Sequence, residues 1–320
     1  VVVDAEDGIV HENYWGEFEP ERISLIASSS KQLTAAIMLR LDDEGVLDID
    51  QPLGEIVGDA WGPSDLADRT VAQLISNSAG MIGLSNVAYG PYVCQFFAEE
   101  EMESCGQQIW SSTEDDADLF APDSEFEYGG GQWQLAGAVA EFASGESWAE
   151  LVNRVLVEPC GLGDDFGFNN HWVTLGAASF DYPQDFDGDL SLLPETENPQ
   201  TEGGAYATVP DYAELLMFHL RGGECPNGAV VSQEALDTMH ADRVATVYGG
   251  DAGDPDTGYG MGWWVDRETG RISDGGAYGS VPWLDLDDGY GAYLVIERNS
   301  PTGQRLAGLI EEPIHTAMVG

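Results

Sequence analysis

The excess of acidic over basic residues is the feature of this sequence that most constrains its fold. Fifty-eight aspartates and glutamates face 11 lysines and arginines, so the formal net charge is −47. Self-repulsion of this size destabilises a compact chain in dilute buffer and is typical of proteins that fold in concentrated salt. At molar salt the Debye length falls to roughly 3 Å, so neighbouring surface carboxylates no longer repel one another. We therefore expect an acidic, salt-adapted surface.

The apolar content is high enough for a substantial core beneath that surface. Hydrophobic residues make up 43% of the 320 positions, which excludes a disordered acidic tail and allows one or two domains. No run reaches the roughly 18 apolar residues that a membrane span requires. The negative charge makes DNA, RNA and anionic membranes poor partners. The acidic run at 185–189 is interpreted as solvated surface, because its glycine falls too early for a calcium-binding loop.

Four cysteines allow three ways of forming two disulfides. We favour a bond between Cys94 and Cys105, because it closes a short loop through an acidic segment with little apolar means of ordering itself, and Cys160–Cys225 is the second pair. Four free thiols are the alternative, since buried cysteine is common. A disulfide would place the protein outside the cytosol. The start at Val1 lacks the features of a signal peptide, so we expect the mature form of a secreted or periplasmic protein.

Hydrophobic periodicity predicts strands towards both ends of the chain and helices between them. Strands are predicted at 8–15, at 22–27 and four times within 260–298, with Asp288-Gly289 as a hairpin turn. Helices are predicted from Lys31 to Gly45, at 70–77, 131–143, 148–158 and 210–220, after Ser232, and at 303–318. This order predicts one α+β domain in two lobes. An antiparallel sheet flanked by helices forms the first lobe (about 1–44 and 201–320), and the second, at about 45–200, is mostly helical.

The chemistry of the chain starts from its only lysine, Lys31, which stands three positions after Ser28 at the predicted start of a helix. Residues three apart share a helix face, so the two side chains should meet. A serine hydroxyl becomes a nucleophile when a neighbouring amine, its pKa lowered by burial, accepts its proton. The amide of Ser28, near the positive end of the helix dipole, can help to hold an oxyanion. Coincidental spacing is the alternative.

These residues resemble a family that comprises the class C type serine β-lactamases, the D-alanyl-D-alanine carboxypeptidases and the family VIII carboxylesterases. Four further segments follow the family's order and extend the resemblance over nearly the whole chain: 70–80, 122–128, 158–163 and 203–213. The resemblance implies a β-lactamase/transpeptidase-like fold with the site in the cleft between the lobes. It also implies that Tyr128 is the catalytic phenol, which would share the proton of Ser28 if the ammonium of Lys31 stabilised its phenolate. A packing tyrosine is the alternative.

The sequence departs from the family at the asparagine that follows the catalytic tyrosine by two positions. Gly130 stands there, after Gly129. In the family that amide orients the substrate and the lysine, so its loss argues against amide hydrolysis more than against acyl transfer. For the glycines themselves we prefer a turn before the helix.

A second departure concerns the strand that lines the site, where the family carries a cationic motif and this chain has Asp274, Gly275 and Gly276. An unscreened Asp274 would repel a substrate carboxylate but not a neutral ester. Together with Gly130, these three residues are predicted to bind substrate. The backbone N–H of Ala277 is predicted to be the second oxyanion donor beside that of Ser28. A plain hairpin turn is the alternative.

We therefore predict a salt-adapted serine hydrolase that forms an acyl-enzyme on Ser28, acting on neutral carboxylic esters. One alternative is a β-lactamase or D-amino-acid peptidase of the same mechanism, because an amine-bearing substrate would be attracted to Asp274. Another is a penicillin-recognition or sensor module that has lost turnover. We expect no cofactor and no metal, since neither cysteines nor histidines have metal-ligand spacing. The expected partner is a small-molecule ester or amide, and the oligomeric state stays open.

Overall fold

A computed structural model of the chain describes residues 1–84, 90–112, 119–176, 180–244 and 255–320. The strands are β1 Val2–Asp4, β2 Gly8–His11, β3 Ser24–Leu25, β4 Gly167–Phe168, β5 Ala205–Ala207, β6 Glu224–Cys225, β7 Gly228–Ala229, β8 Thr257–Tyr259, β9 Trp264–Asp266, β10 Ile272–Ser273, β11 Val281–Asp285 and β12 Tyr290–Leu294. The α-helices are α1 Lys31–Asp43, α2 Leu53–Ile56, α3 Gly58–Trp61, α4 Val71–Ile75, α5 Met102–Ser111, α6 Gly130–Ser144, α7 Trp148–Val152, α8 Glu158–Cys160, α9 Val209–Leu220, α10 Gln233–His240 and α11 Ser300–Val319.

The main sheet is antiparallel and joins the two ends of the chain. Its strand order is β2-β1-β12-β11-β10-β9-β8, so the two N-terminal strands extend a C-terminal meander. Val3 in β1 pairs with Gly291 in β12. Gly289 has a φ of 72° in the turn between β11 and β12, as the Asp-Gly pair predicts. The predicted α+β fold is confirmed, whereas the boundaries of the two lobes stay a prediction.

Helix α1 is the central helix of the fold. The sequence predicts one apolar face, but every residue from 31 to 39 is buried, because α4, α6 and α10 all pack against it. Gly45, with a φ of 67°, follows its last turn as predicted. A helix buried on all sides is rigid, so it fixes the position of the residues at its first turn.

A small second sheet, in the order β3-β5-β4, brings distant segments to the start of α1. Ser24 in β3 pairs with Ala207 in β5, and the amide of Ile26 donates to the carbonyl of Ala205 at 3.1 Å. The predicted strand at 22–27 is therefore only two residues long. This pairing places the residues just before β5 beside those just after β3.

Several local predictions are confirmed and one helix is broken into parts. Ser147 and Glu150 form the predicted capping box at the start of α7. The helix predicted at 148–158 continues from α7 into a π-helical turn at Asn153–Val157 and then α8. The favoured disulfide Cys94–Cys105 is present, and so is the second pair, Cys160–Cys225. None of the helices in the described ranges has the length and apolar character needed to cross a membrane.

Candidate active site

Ser28 lies in a tight turn between β3 and α1. Residues Ala27–Ser30 form one turn of 3-10 helix that runs directly into α1. Ala27 has a φ of 47°, a left-handed conformation that is costly for a residue with a side chain. Lys31 Nζ donates a hydrogen bond to Ser28 Oγ at 3.2 Å. The predicted serine–lysine contact is therefore formed, and the serine side chain is only partly buried.

The serines that follow Ser28 fasten this turn to both sheets. Ser30 Oγ donates to the carbonyl of Ala27 at 2.5 Å and accepts from the amide of Ala205 at 3.0 Å. Ser29 Oγ donates to the carbonyl of Asp274 at 2.6 Å. These bonds hold the strained turn against β5 on one side and the segment after β10 on the other, which is how the surrounding fold sustains a strained conformation.

Lys31 is fully buried, and all the bonds of its ammonium group are accounted for. Besides Ser28 Oγ, it donates to the carbonyl oxygen of Glu202 at 3.1 Å and to Glu202 Oε2 at 3.1 Å. Its Nζ also lies 4.6 Å from the ring centroid of Tyr128. The exposed fractions of the Lys31 and Glu202 side chains are 0% and 13%, so water screens this ion pair weakly.

These neighbours reverse the expected pKa of Lys31. Burial lowers its pKa, but the acidic groups around it, of which the Glu202 carboxylate pairs directly with Nζ, outweigh burial and raise the pKa above the ordinary lysine value. The prediction of an amine with a lowered pKa is wrong, because it considered burial without the carboxylates that other segments bring. Lys31 is an ammonium at neutral pH.

Tyr128 is positioned by the segment that resembles the family at 70–80. Asn77, whose φ is 56°, accepts at Oδ1 from the amide of Gly129 at 3.4 Å and from Trp133 Nε1 at 3.0 Å. Its carbonyl accepts from the amide of Glu127 at 2.9 Å. One asparagine therefore holds the backbone on both sides of Tyr128 and the first turn of α6.

The phenol of Tyr128 is brought to Ser28 and Lys31, as predicted. Burial raises its pKa, and the ammonium of Lys31 and a hydrogen bond with Ser28 oppose this without cancelling it, so the pKa lies above the usual value. The expectation of a stabilised phenolate is therefore wrong. At neutral pH the group is a phenol that can donate a proton.

Four aromatic rings form a wall beside Ser28. Tyr128 stacks on Trp264 at 5.4 Å between centroids, and Phe126 and Tyr259 meet Trp264 edge-on at 5.6 and 4.8 Å. Phe126 and Trp264 are partly exposed, so the wall offers an apolar surface to a ligand. This aromatic wall was not predicted, because its members come from separate segments.

Asp274 faces the interior and not the opening of the cleft. Its side chain is completely buried, and its Oδ2 accepts from the amide of Gln32 at 3.4 Å. Burial raises its pKa well above the usual range, although Lys31 and the Gln32 amide oppose this, so burial favours the neutral acid. The expected repulsion of a substrate carboxylate is wrong, because the group is buried and does not face a substrate.

One of the two glycines after Asp274 packs closely against the turn at Ala27–Ser30, which we call the nucleophile turn. A Cβ on Gly276 would lie 2.1 Å from the carbonyl oxygen of Ile26, so only glycine fits there. Gly275 instead lines a cavity of about 300 Å³ that it shares with Trp264 of the aromatic wall. Within the described residues no hydrogen bond involves the N–H of Ala277, which is partly exposed. Its role as an oxyanion donor with Ser28 stays a prediction.

Gly130 is the first residue of α6, and the room for an asparagine side chain is already filled. A Cβ added to Gly130 would lie 2.1 Å from Glu202 Oε1 and 2.0 Å from Gln95 Oε1. The preferred interpretation as a simple turn is therefore incomplete, since Gly130 is needed to admit these two side chains. Glu202 was missed by sequence reasoning, although it directly precedes Gly203 and Gly204, which carry the resemblance.

A possible group of metal ligands lies on the main sheet, away from these residues. His315 Nδ1 is 3.9 Å from Asp285 and 3.7 Å from Asp288. All three are partly or fully exposed, and such groupings are ordinary on an acidic surface. We assign no site to them.

The fold and the Ser28–Lys31 contact define a serine hydrolase. The profile of the family described as "Beta-lactamase" matches residues 1–312. The chain therefore belongs to the beta-lactamase family, as the resemblance indicated.

Individual relatives are distant. The chain is similar to penicillin-binding protein 4 of Amycolatopsis lactamdurans, with 22% identity over 91% of this chain and 76% of the relative. It is similar to the 6-aminohexanoate-dimer hydrolase of Paenarthrobacter ureafaciens, with 25% identity over 87% of this chain and 67% of the relative. The structure of EstCE1, a hydrolase with promiscuous acyltransferase activity, matches with a TM-score of 0.65 and 20% identity, over 87% of this chain and 81% of that one. At this identity the structural match shows the fold alone.

Proposed function

We propose that the protein is an esterase that transfers the acyl group of a neutral carboxylic ester to Ser28 and then to water. The observation that carries the proposal is the state of Lys31. The cation that contacts Ser28 is already paired with Glu202, and the position of the family's second cation holds a buried, neutral Asp274. A substrate carboxylate would find no unpaired cation in these contacts, whereas a neutral ester needs none.

The geometry supports a role for each group. Ser28 Oγ attacks the ester carbonyl, and Lys31 Nζ, 3.2 Å away, is the group through which its proton leaves. The phenol of Tyr128, whose pKa is raised, is suited to protonate the departing alkoxide. The N–H groups of Ser28 and Ala277 hold the oxyanion. The aromatic wall favours an apolar acyl or alcohol group.

A second candidate function is the hydrolysis of an amide substrate that carries an ammonium group. The net charge of −47 gives the chain a strongly negative potential, which attracts a cationic substrate. The match to a 6-aminohexanoate-dimer hydrolase supports this candidate. The match to a penicillin-binding protein keeps a third candidate, a module that acylates without turnover.

We also propose that the protein works outside the cytosol in concentrated salt. Two disulfides favour an oxidising compartment, and a net charge of −47 favours a solvent that screens it.

The test is a parallel assay of p-nitrophenyl butyrate and nitrocefin in about 2 M salt, followed by intact mass spectrometry. We expect rapid ester turnover, slow nitrocefin cleavage and an acyl adduct on Ser28. Ser28→Ala should abolish turnover of both substrates and remove the adduct. Efficient nitrocefin cleavage would favour a β-lactamase instead, and an adduct without turnover would favour the sensor.

A further inference from the structure

We propose that Glu202 is a positioning residue that occupies the place of the family's asparagine and receives, through Lys31, the proton that leaves Ser28. This inference rests on the proposed acylation of Ser28. It assigns a role to a carboxylate that belongs to none of the predicted site residues.

The ammonium of Lys31 bridges Ser28 and Glu202. Its Nζ is 3.2 Å from Ser28 Oγ and 3.1 Å from Glu202 Oε2, so one group contacts both the donor and the acceptor of the proton. Lys31 also donates to the backbone carbonyl of Glu202, which fixes the residue independently of its carboxylate. A continuous hydrogen-bonded path of two steps therefore runs from the nucleophile to Glu202.

The Glu202 carboxylate occupies the space that a side chain at position 130 would need. Because a Cβ on Gly130 would lie 2.1 Å from Glu202 Oε1, a side chain at 130 and the observed position of the Glu202 carboxylate exclude each other. Gln200 Nε2 donates to the same oxygen at 3.5 Å, which leaves Oε2 for Lys31. The chain has thus exchanged an amide for a carboxylate beside the same lysine, and a carboxylate can accept a proton where an amide cannot.

The small sheet explains how Glu202 reaches Lys31. Ser24 pairs with Ala207, so the three residues before β5 run past the nucleophile turn. The amide of Gly204 donates to the carbonyl of Gln200 at 2.8 Å and its carbonyl accepts from the amide of Asn169 at 2.8 Å, so the backbone next to Glu202 is held on both sides. Glu202 is therefore held by rigid elements, which suits a residue that must keep a fixed distance from Lys31.

The groups facing the pair explain why a relay is needed. Lys31 is faced by Tyr128, Glu202 and Asp274, and its ammonium pairs with Glu202 Oε2 at 3.1 Å, so it cannot accept a proton without giving one up. Glu202 is faced by Lys31, Tyr128 and Tyr259, and burial raises the pKa of both phenols, so neither is a phenolate at neutral pH. Glu202 is the carboxylate that contacts Lys31 directly and can take the proton from it.

The step balances as follows. The Ser28 O–H bond breaks as its proton moves to Lys31 Nζ, and a different proton moves from Nζ to Glu202 Oε2. Lys31 ends as the ammonium it was at the start, and Glu202 becomes a carboxylic acid. The electron pair of Ser28 Oγ forms the bond to the ester carbonyl carbon, whose π electrons move to the oxyanion. When the oxyanion collapses, the ester C–O bond breaks and the departing alkoxide takes the proton of the Tyr128 phenol. In deacylation water attacks the acyl carbon and gives its proton to Tyr128, while Glu202 returns its proton through Lys31 to Ser28 Oγ as the acyl C–O bond breaks.

Glu202→Gln is the decisive variant, because glutamine keeps the size and supplies the amide that the family's asparagine would supply. We expect kcat for p-nitrophenyl butyrate at neutral pH to fall on the order of 100-fold, a usual contribution of proton transfer. The residual activity should rise towards alkaline pH, because Lys31 must then lose its own proton to act as the base. Glu202→Asp should recover part of the neutral activity.

Glu146→Gln is the matched control, since Glu146 also pairs with a cation, Arg154 at 2.8 Å, and should leave kcat and the pH profile unchanged. Full activity of Glu202→Gln would overturn the proposal and make Glu202 a substitute for the amide only. A reduced kcat with the acid limb of the profile unmoved would also overturn it. If Ser28→Ala is inactive while Glu202→Gln is not, this inference fails and the proposed esterase stands.

The double variant Glu202→Ala with Gly130→Asn keeps the test sharp if single variants fold poorly. Removing the carboxylate clears one of the two close approaches at 130, and the other, Gln95 Oε1, is the unbonded end of a flexible side chain that can turn away, so we expect a melting temperature close to that of the parent protein. The neutral activity should stay low, because the amide cannot accept the proton. Recovery of parental kcat in this double variant would contradict the relay.

Discussion

The cleft and the outer surface of this molecule both carry more carboxyl groups than cations, but they balance them in different ways. In the cleft, Glu202 lies 3.1 Å from Lys31, and Asp274 is fully buried and neutral. On the surface, pairs such as Arg40–Glu44 are partly exposed, and 11 cations cannot pair with 58 acidic groups. Charge in the cleft is thus compensated by direct pairing and burial, whereas charge on the surface must be screened by ions in the solvent. The two regions should therefore respond to different perturbations.

The largest expected effect is on the interior cation. Lys31→Arg should lower kcat/KM for p-nitrophenyl butyrate on the order of 1,000-fold or more, because guanidinium does not give up and regain a proton at accessible pH. Steady-state kinetics in concentrated salt measure this. The surface control is Arg40→Lys, which should change kcat/KM little, since Arg40 donates to Glu44 just after α1 and to the carbonyls of Ala229 and Val230, away from the cleft. A tenth of parental activity in Lys31→Arg would contradict the mechanism.

The second largest expected effect is that of salt, which should change the melting temperature through the surface but leave the pH profile of kcat, set by the cleft, nearly unchanged. Between about 0.1 and 2 M salt we expect the melting temperature to rise by about 5 °C or more, because screening relieves surface repulsion. The acid limb of the kcat profile should stay within a few tenths of a pH unit, because the Lys31–Glu202 pair is dry. Differential scanning calorimetry and pH-rate profiles at both concentrations measure the contrast. A melting temperature indifferent to salt would remove the salt-adapted interpretation of the surface.

Much of the fold could be predicted because its signals are local. The capping box at Ser147, the glycine that follows α1 and the Asp-Gly hairpin each depend on residues a few positions apart. The serine–lysine contact is local too, since both residues occupy one helical turn. The family resemblance supplied what local patterns could not, namely the order of the elements and the meeting of Tyr128 with Ser28.

The charge state of the site could not be predicted, because it depends on long-range pairing by very short strands. Glu202 is 171 positions from Lys31 in sequence and reaches it through β3 and β5, which pair over only two residues and leave no periodic pattern. The direction of the Lys31 pKa shift follows from that contact. The sequence indicates that the lysine is buried, but it does not indicate which carboxylates lie beside it.

Glu141 is a partly buried carboxyl group, intermediate between those of the cleft and those of the surface. It accepts from the amide of Trp148 at 2.6 Å, and burial, aided by Glu103, Glu197 and Glu150, raises its pKa to about 7. A carboxyl whose folded pKa lies above its unfolded value contributes stability at low pH that is lost as the pH rises from about 4.5 through about 7. We therefore expect Glu141→Gln to raise the melting temperature at pH 8 relative to the parent protein, and much less at pH 4.

Glu150→Gln is the matched control for Glu141→Gln. The Ser147 amide and hydroxyl lower the pKa of Glu150, so its contribution is present above the unfolded pKa and lost as the pH falls. This variant should therefore lower the melting temperature slightly at pH 8. If Glu141→Gln and Glu150→Gln shifted the melting temperature at pH 8 in the same direction, the prediction that burial makes the ionised Glu141 unfavourable would be wrong.

The smallest expected effect concerns the other carboxyl of the cleft. Because Asp274 is buried and neutral, Asp274→Asn replaces a carboxylic acid by an amide of the same size and leaves the charge around Lys31 unchanged. We expect kcat/KM to stay within about threefold, a difference of less than about 1 kcal/mol, in contrast to the loss in Glu202→Gln. Kinetics of the two variants side by side measure this directly. A loss above tenfold in Asp274→Asn would mean that Asp274 is ionised, and the charge of the cleft would then be shared by two carboxylates and not carried by Glu202 alone.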